Sequence, residues 1–381
     1  MIPPSSIPFL ARSNNSTRLA AECLDLLLEL SLPDANRYRF DRLAAGRWAP
    51  QAHRSLYRAI WAEAARQAGA RRREIGDDLT ILERDGAQTI VWLHHVQLDD
   101  PVTLKVALDK SRVHGLLERA GVPVPLYREF RLESSQAALA LLRTYEPPFV
   151  IKPAAGTSGG SGVTCAVHSV DDFHRATLHA SRHSARLMIE RTIAGDEYRF
   201  LILDGRLLDV VRRRAPQVVG DGTSSIAKLI SKENSSRAAA AGELGTSFLR
   251  IDLDCVLTLD RAGLSLRRIL PPGAVVQVRS TANNNAAGDN VTVSRDAVCD
   301  ELVNDAVLAA SAVQLRLAGV DLKTPDITRS LAQVGGAVIE VNGTPGLHYH
   351  YLVADPAQAT KVAIPLLDTL LRIKRPLGHF C

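Results

Sequence analysis

Apolar and polar positions change their period along this 381-residue chain, and the changes predict its elements. Up to about residue 75 the spacing is helical: Thr17 through Leu32 forms an amphipathic stripe and Ser55 through Ala68 a second, each preceded by polar or breaker residues. No chemistry is visible there. From Glu74 the pattern turns to short apolar runs separated by turns, Leu79 to Leu82 and Thr89 to Leu93, the second followed by His94 and His95, which read as polar surface at a strand end. Asp109 and Lys110 open a helix that runs to Ala120 and stops at Gly121, and Val122-Pro123-Val124-Pro125 forces an extended exit. Strand, helix and strand signals follow up to the glycine loop after Pro153, and then come a further helix from Asp171 to Ala185 and a strand from Arg186 to Glu190. Glu197 to Leu203 and Arg206 to Arg212 flank Asp204-Gly205, a strong hairpin signal. A polar insertion from Val219 to Leu270 carries Gly220-Asp221-Gly222 and an alanine-rich helix at Arg237 to Ala241. Beyond it the pattern predicts a strand at Ala274 to Arg279, a helix from Ser294 to Leu317, strands around Val320-Asp321-Leu322 and Ala337 to Asn342, and a closing helix from Pro356 to Ile373. The mixture predicts an α/β (α+β) fold rather than a bundle or a sandwich.

Composition narrows the partners. With 46% hydrophobic residues the chain can bury a large core, and its length predicts two or three subdomains. Lys and Arg exceed Asp and Glu by five but are scattered, and aromatic residues make up only 5%, a poor stock for base stacking, so small anionic ligands fit better than nucleic acid. Five cysteines, odd in number and far apart, indicate neither a disulfide frame nor a zinc site. The N-terminus lacks a basic stretch before an apolar run and no segment approaches membrane-spanning length, so no membrane partner and a cytoplasmic location are expected.

Two constellations carry the chemistry. Phe149-Val150-Ile151-Lys152-Pro153 ends a strand on a lysine and feeds a loop containing Gly156, Ser158, Gly159, Gly160 and Gly162, so a cation and unhindered backbone N–H groups face one space. That suits phosphate, although lysine precedes the glycines here whereas a P-loop has it last. A plain Gly/Ser turn beside a surface lysine remains the competing reading. In the second constellation Glu340 and Asn342 lie two apart on a strand and share a face, with Asp321 able to join them from a neighbouring strand. Three hard oxygen ligands then converge as magnesium requires when phosphate and water fill its other positions. A solvated edge strand would show the same alternation.

In order, the motifs are D-K-x-x-x-x-x-L-L-x-x-A-G-V-P-V-P, F-V-I-K-P, the glycine loop, I-E-R-x-I-x-G-D-E-Y-R, V-V-G-D-G, R-S-T-A-N, G-V-D and I-E-V-N-G-T-P-G. Together, over residues 105 to 350, they resemble the ATP-grasp superfamily of carboxylate-amine ligases, and within it the ATP-grasp portions of cyanophycin synthetase and bifunctional glutathione synthetase. The resemblance implies an ATP-grasp fold that holds ATP between two α+β subdomains. It divides the chain into an N-terminal helical and α/β substrate-side region (1–102), a central subdomain with the glycine-rich loop (103–188) and a C-terminal subdomain with the metal site (189–381). By the same resemblance Lys110 and Lys152 hold the ATP phosphates, the loop from Gly156 to Gly162 covers them, and Glu190 with the backbone of Arg191 to Ile193 reads adenine. Glu197 binds ribose, Asp321, Glu340 and Asn342 hold Mg²⁺ (Mn²⁺ suits the same ligands), and Arg279 stabilises an acyl phosphate. Arg199, Arg212, Asn283, His348 and His350 match the acceptor side. After Arg279 the family shows a loop with paired glycines, whereas Asn283 to Asp289 here has a single glycine and an acid.

The expected activity is ADP-forming amide or peptide bond formation on an amino acid or short peptide, with small carboxylates and amines as partners, and a homodimer is compatible with it. Arg199, Arg212 and Arg279 are more cations than one acyl phosphate needs, which predicts a substrate with a spare carboxylate. A phosphotransferase on the same fold would keep every ATP-binding residue named, whereas a non-catalytic nucleotide-binding module would keep the hinge acids and lose the metal ligands.

Overall fold

The computed structural model describes residues 53–157, 160–282 apart from 241–247, and 290–373. The stripe at Thr17 to Leu32, and Ser158, Gly159 and Asn283 among the candidate site residues, lie outside the described residues.

The described chain starts with helix α1 (53–68), which packs on a four-stranded meander of β1 (Arg71–Ile75), β2 (Leu79–Arg84), β3 (Ala87–Trp92) and β4 (His95–Val96). Asp100 then caps α2 (Pro101–Ala107) by accepting from the backbone N–H groups of Val102 and Thr103, with Pro101 where a helix needs no donor. Asp109 caps α3 (Lys110–Arg119) in the same way, and Gly121, at φ +77°, supplies the left-handed residue that ends it.

The central sheet is four-stranded and antiparallel, in the order β5 (Tyr127–Phe130), β8 (Leu187–Arg191), β6 (Phe149–Pro153) and β7 (Thr164–Val167). Helices α4 (Gln136–Thr144) and α5 (Val170–Ser181) cover it, burying Phe173 and Ala176 against Phe149, Ile151 and Ile189. Helix α5 starts from a capping box between Ser169 and Asp172, and stops short of the Ala185 that its apolar spacing predicted.

The C-terminal sheet is five-stranded and antiparallel, ordered β13 (Asn290–Thr292), β10 (Arg206–Arg213), β9 (Asp196–Leu203), β14 (Leu317–Thr324) and β15 (Ala337–Asn342). One face carries Phe200, Ile202, Val320 and Leu322 into a core shared with α8 (Asp300–Ala312). On the other face Leu201, Leu203 and Leu317 pack against α1, the β2–β3 hairpin and α10 (Ala363–Arg372), so the N-terminal region sits on one end of that face.

The hairpin of β9 and β10 contains a bulge that decides which residues share that face. Next to the turn, Arg206 pairs with Leu203 and Leu207 with Ile202; Leu208 is then skipped and Asp209 pairs with Leu201. The extra residue inverts every later side chain of β10 relative to an unbulged hairpin, in which Arg212 would stand opposite Glu197. In the observed register Arg213 does so, and Arg212 faces the other way beside Tyr198.

Five more elements differ from the periodicity. The predicted helix from Ser294 is a short turn (Arg295–Ala297) followed by α8, and its predicted end already belongs to β14, with Gln314 at φ +63° breaking the chain between them. A helical turn, α9 (Leu331–Val334), separates β14 from β15, and the closing helix begins at Ala363, after a turn at Pro356–Gln358. Inside the polar insertion, α6 (Ile226–Ala240) begins well before Arg237, and α7 (Leu253–Arg261) was not anticipated. Helix α7 carries acids at 252, 254 and 260 that make it look like a loop; Asp252 caps it and Asp254 is wholly buried by tertiary bonds. Strands β11 (Gln217–Val219) and β12 (Val275–Gln277) pair on the far side of this small insertion core.

Candidate active site

A cavity of about 290 Å³ opens where the central sheet meets β14 and β15. Its lining includes Lys152 of the first sequence constellation, Asp321 and Glu340 of the second, and Lys110, Glu190 and Glu197, which the resemblance had added.

Lys152 sits near the end of β6, is 7% exposed, and its ammonium lies 2.7 Å from Glu190 on the adjacent strand. His114 of α3 approaches the same carboxylate at 3.1 Å. Burial alone would raise the Glu190 carboxyl, but the Lys152 charge and the His114 contact outweigh it and bring it down to about 2. The Glu190 side chain therefore points at the lysine, while the N–H groups of Arg191 and Thr192 bond to the carbonyls of Leu126 and Pro148. Thr192 and Ile193 form the next part of the wall. Gly195, at φ +97°, lets this segment approach β14 so closely that a Cβ would lie 2.2 Å from the carbonyl oxygen of Thr324.

Lys110, in the first turn of α3, reaches 3.0 Å from Glu340 and donates to the carbonyl of Thr157 at 3.4 Å. The start of α3 is itself tied to the glycine loop, since the Lys110 N–H donates to the Ala154 carbonyl. Burial works against the Lys110 charge, yet Glu340 holds its pKa above the ordinary lysine value. Glu340 in turn is brought down to about 2 against the effect of burial, by Lys110 first and Lys152 after it.

Asp321 is directly opposite Glu340 in the β14–β15 register, and Gly319 opposite Asn342, so the three oxygen-bearing side chains share one face. Asp321, 1% exposed, forms a double contact with Arg199, through Nε and through Nη2 at 2.6 Å, and a longer one with Arg213 at 3.4 Å. Asn342 donates through Nδ2 to Asp321 and to the Gly319 carbonyl, both at 3.3 Å. Two carboxylates and an amide are a hard-oxygen set of the kind that holds Mg²⁺ when substrate phosphates complete its shell. Among the described residues no group of three or more His, Cys, Asp or Glu is placed to hold a metal ion.

Other candidate residues lie off the cavity or are already engaged. Arg199 is spent on Asp321, and Arg212 makes a 3.2 Å contact with the exposed Asp196 on the opposite face. Arg279 is buried against Asp252 at 2.8 Å and is not part of the lining, although its chain neighbours Gln277, Ser280 and Thr281 are. The three cations from which a spare substrate carboxylate was expected thus each hold a carboxylate of the protein. His348 and His350 are buried and are not part of the lining: His348 Nδ1 lies 2.9 Å from the Tyr57 hydroxyl, and His350 Nδ1 2.6 Å from Asp209. His94, expected at the surface, is packed against Tyr57 and His53.

Sequence reasoning overlooked Arg213, His114 and Asp254. Arg213, 4% exposed, bridges Glu197 at 3.0 Å and Asp321, and stacks 4.6 Å over the Tyr349 ring. A bulge in β10 was the one missing fact, since Glu197 and Arg199 already fix the parity of that face. His114 lies on the inner stripe of α3 with Val113 and Leu117, where it reads as ordinary helix interior.

No family model matches the chain. It is 31% identical over 279 residues to cyanophycin synthetase of Crocosphaera subtropica, an overlap of 72% of this chain and 31% of that protein. It is 30% identical over 282 residues to a glutathione biosynthesis bifunctional protein of Streptococcus thermophilus, covering 71% of this chain and 36% of that one. The chain thus spans about a third of the length of these curated relatives. Among solved structures, the bifunctional glutathione synthetase of Pasteurella multocida superposes with a TM-score of 0.51 at 25% identity, over 80% of this chain and 42% of that one. With the two lysine–acid pairs around one cavity and the paired acids of β14 and β15, these likenesses make the chain a member of the ATP-grasp superfamily, homologous to cyanophycin synthetase and bifunctional glutathione synthetase.

Proposed function

We propose that this chain is an ATP-dependent, ADP-forming carboxylate-amine ligase acting on an amino acid or short peptide. One observation carries the reading: two lysines from different elements, Lys110 and Lys152, each face a carboxylate across the same cavity, with Asp321 beside them. Nucleotide phosphates would displace those carboxylates and take over the lysines. Glu340 and Asp321, with Asn342, would hold Mg²⁺, which supplies charge neutralisation and orientation of the phosphates. The named activities of the relatives, synthesis of cyanophycin and of glutathione, support amide formation as the reaction class.

In the proposed reaction a substrate carboxylate oxygen attacks the γ-phosphorus of ATP, the bond to ADP breaks, and an acyl phosphate forms. An amine nitrogen then attacks the acyl carbon, phosphate leaves with the electron pair of the C–O bond, and the ammonium proton passes to solvent. No protein nucleophile is required. Catalysis would rest on position and charge: Lys110 and Lys152 on the transferring phosphoryl group, and Glu197 on the ribose. Arg279 would serve the acyl phosphate after a rearrangement that brings it out from Asp252.

The test is an ADP-release screen of the purified protein against pairs of amino acids and simple carboxylic acids, with mass spectrometry of active wells. Amide, ADP and phosphate support the ligase. A phosphorylated, unjoined product makes the chain a phosphotransferase, and nucleotide binding without turnover makes it a binding module.

A further inference from the structure

Asp254 lies outside every motif discussed so far, yet it is 0% exposed and uses both carboxylate oxygens. Oδ1 accepts from the backbone N–H of Cys165 at 2.9 Å. Oδ2 accepts from the N–H of Ser280 at 3.1 Å, the N–H of Thr281 at 3.0 Å and the Thr281 hydroxyl at 2.9 Å, with the Arg279 Nε 3.7 Å away. One turn along α7, the Thr258 hydroxyl meets Ser280 Oγ at 2.9 Å. Cys165 belongs to the strand leaving the glycine loop, and Ser280 and Thr281 follow β12 in a different sheet; no strand pairing joins the two. Cys165, Ser280 and Thr281 all line the cavity, whereas Asp254 does not.

We infer that Asp254 is a positioning residue, which sets the wall formed by Ser280 and Thr281 at a fixed distance from the exit of the glycine loop. A buried carboxylate with four donors and a nearby guanidinium is costly to leave half-satisfied, so the two segments hold their geometry together or lose it together. The charge also shares Arg279 with Asp252, whose contact at 2.8 Å comes from the N-cap of the same helix. The consequence for turnover rests on the ligase reading; the coupling of the two walls does not.

Asp254→Asn is the discriminating change because it is nearly isosteric. Whichever way the amide turns, its NH₂ meets a backbone donor, either that of Cys165 or those of Ser280 and Thr281. For the active donor–acceptor pair, kcat falls about 10- to 100-fold, while the affinity for adenylyl imidodiphosphate, carried by Lys110, Lys152 and Glu197, stays within about threefold of the parent by this split. Thr281→Val, which removes one of the four bonds, gives a smaller loss in the same direction. Unchanged kcat, or kcat, analogue affinity and Tm falling together, overturns the positioning role. Amide hydrogen exchange is read in parallel and needs no turnover: Cys165, Ser280 and Thr281 are slow in the parent and all three quicken in Asp254→Asn. Exchange that quickens on one side alone overturns the coupling. Absence of ADP release by the parent with every substrate pair would defeat the ligase reading and leave the exchange result to decide this one.

Discussion

The two ends of one sheet face handle buried polarity in opposite ways. At the cavity end, Glu197, Arg199, Arg213, Asp321 and Glu340 are charged and matched, each cation against one or two acids. At the other end, His53 and Tyr57 of α1 pack ring against ring with His94 and His348, with centroids 4.9 to 6.1 Å apart. Burial lowers the pKa of all three histidines, His94 to about 3, and neighbouring charges add to the effect at His94 and His348. Tyr349 lies between, with Arg199 and Arg213 over its ring at 5.3 and 4.6 Å and the His348 ring 4.3 Å away. A site for anionic ligands needs charges that can change partners, whereas an interface with the N-terminal region needs only neutral groups that fit.

The largest separation between the ends should come from Glu340→Gln. A neutral amide cannot replace a charged ligand beside triphosphate, so ADP release should fall at least about 100-fold while the circular dichroism spectrum is retained. A rate within twofold of the parent would remove Glu340 from the metal set.

A second contrast, read in stability rather than rate, lies within the charged end. Arg213→Ala leaves Asp321 and Glu197 short of a buried partner and should cost about 3–5 kcal/mol in urea unfolding. Arg212→Ala, whose contact with Asp196 is exposed, should cost at most about 1 kcal/mol. Equal costs would mean that the bulge at Leu208 does not set the parity of β10.

The smallest effect is also the one that tells the two ends apart by pH. The unfolded chain protonates His53, His94 and His348 near 6.5, while the folded chain resists, so stability falls as pH drops below about 6.5, by at most about 1.4 kcal/mol per pH unit for each histidine. Glu190 and Glu340 act in a lower window: their folded values near 2 keep their contribution intact above the ordinary glutamate value of 4.5, and it is lost only as pH falls from there towards 2. Between pH 6.5 and 5, therefore, His348→Gln should flatten the slope of stability against pH and Glu190→Gln should not. Identical slopes in both variants would refute the contrast.

Much of the cavity was legible in local pattern. A lysine at a strand end before glycines, and acids and an amide spaced by two, are short-range facts: strand periodicity alone puts Glu340 and Asn342 on one face, and a capping Asp109 with Gly121 bounds the helix that presents Lys110. The order of the motifs along the chain suffices to identify the superfamily.

What needed the tertiary structure is every feature that depends on a long-range partner. Arg213 rather than Arg212 enters the site because one skipped residue inverts a strand, and no local propensity announces Leu208. Helix α7 and the burial of Asp254 follow from bonds to segments 26 and more positions away, which turn loop-like acids into satisfied interior groups. His348 is buried and His94 half-buried where His53 and Tyr57 of α1 pack against them, and that burial, not residue type, lowers their pKa values. Sequence determined which groups the protein has and along which faces they alternate; the register and packing of distant strands decided which of those groups meet, because meeting is a property of two segments and neither carries it alone.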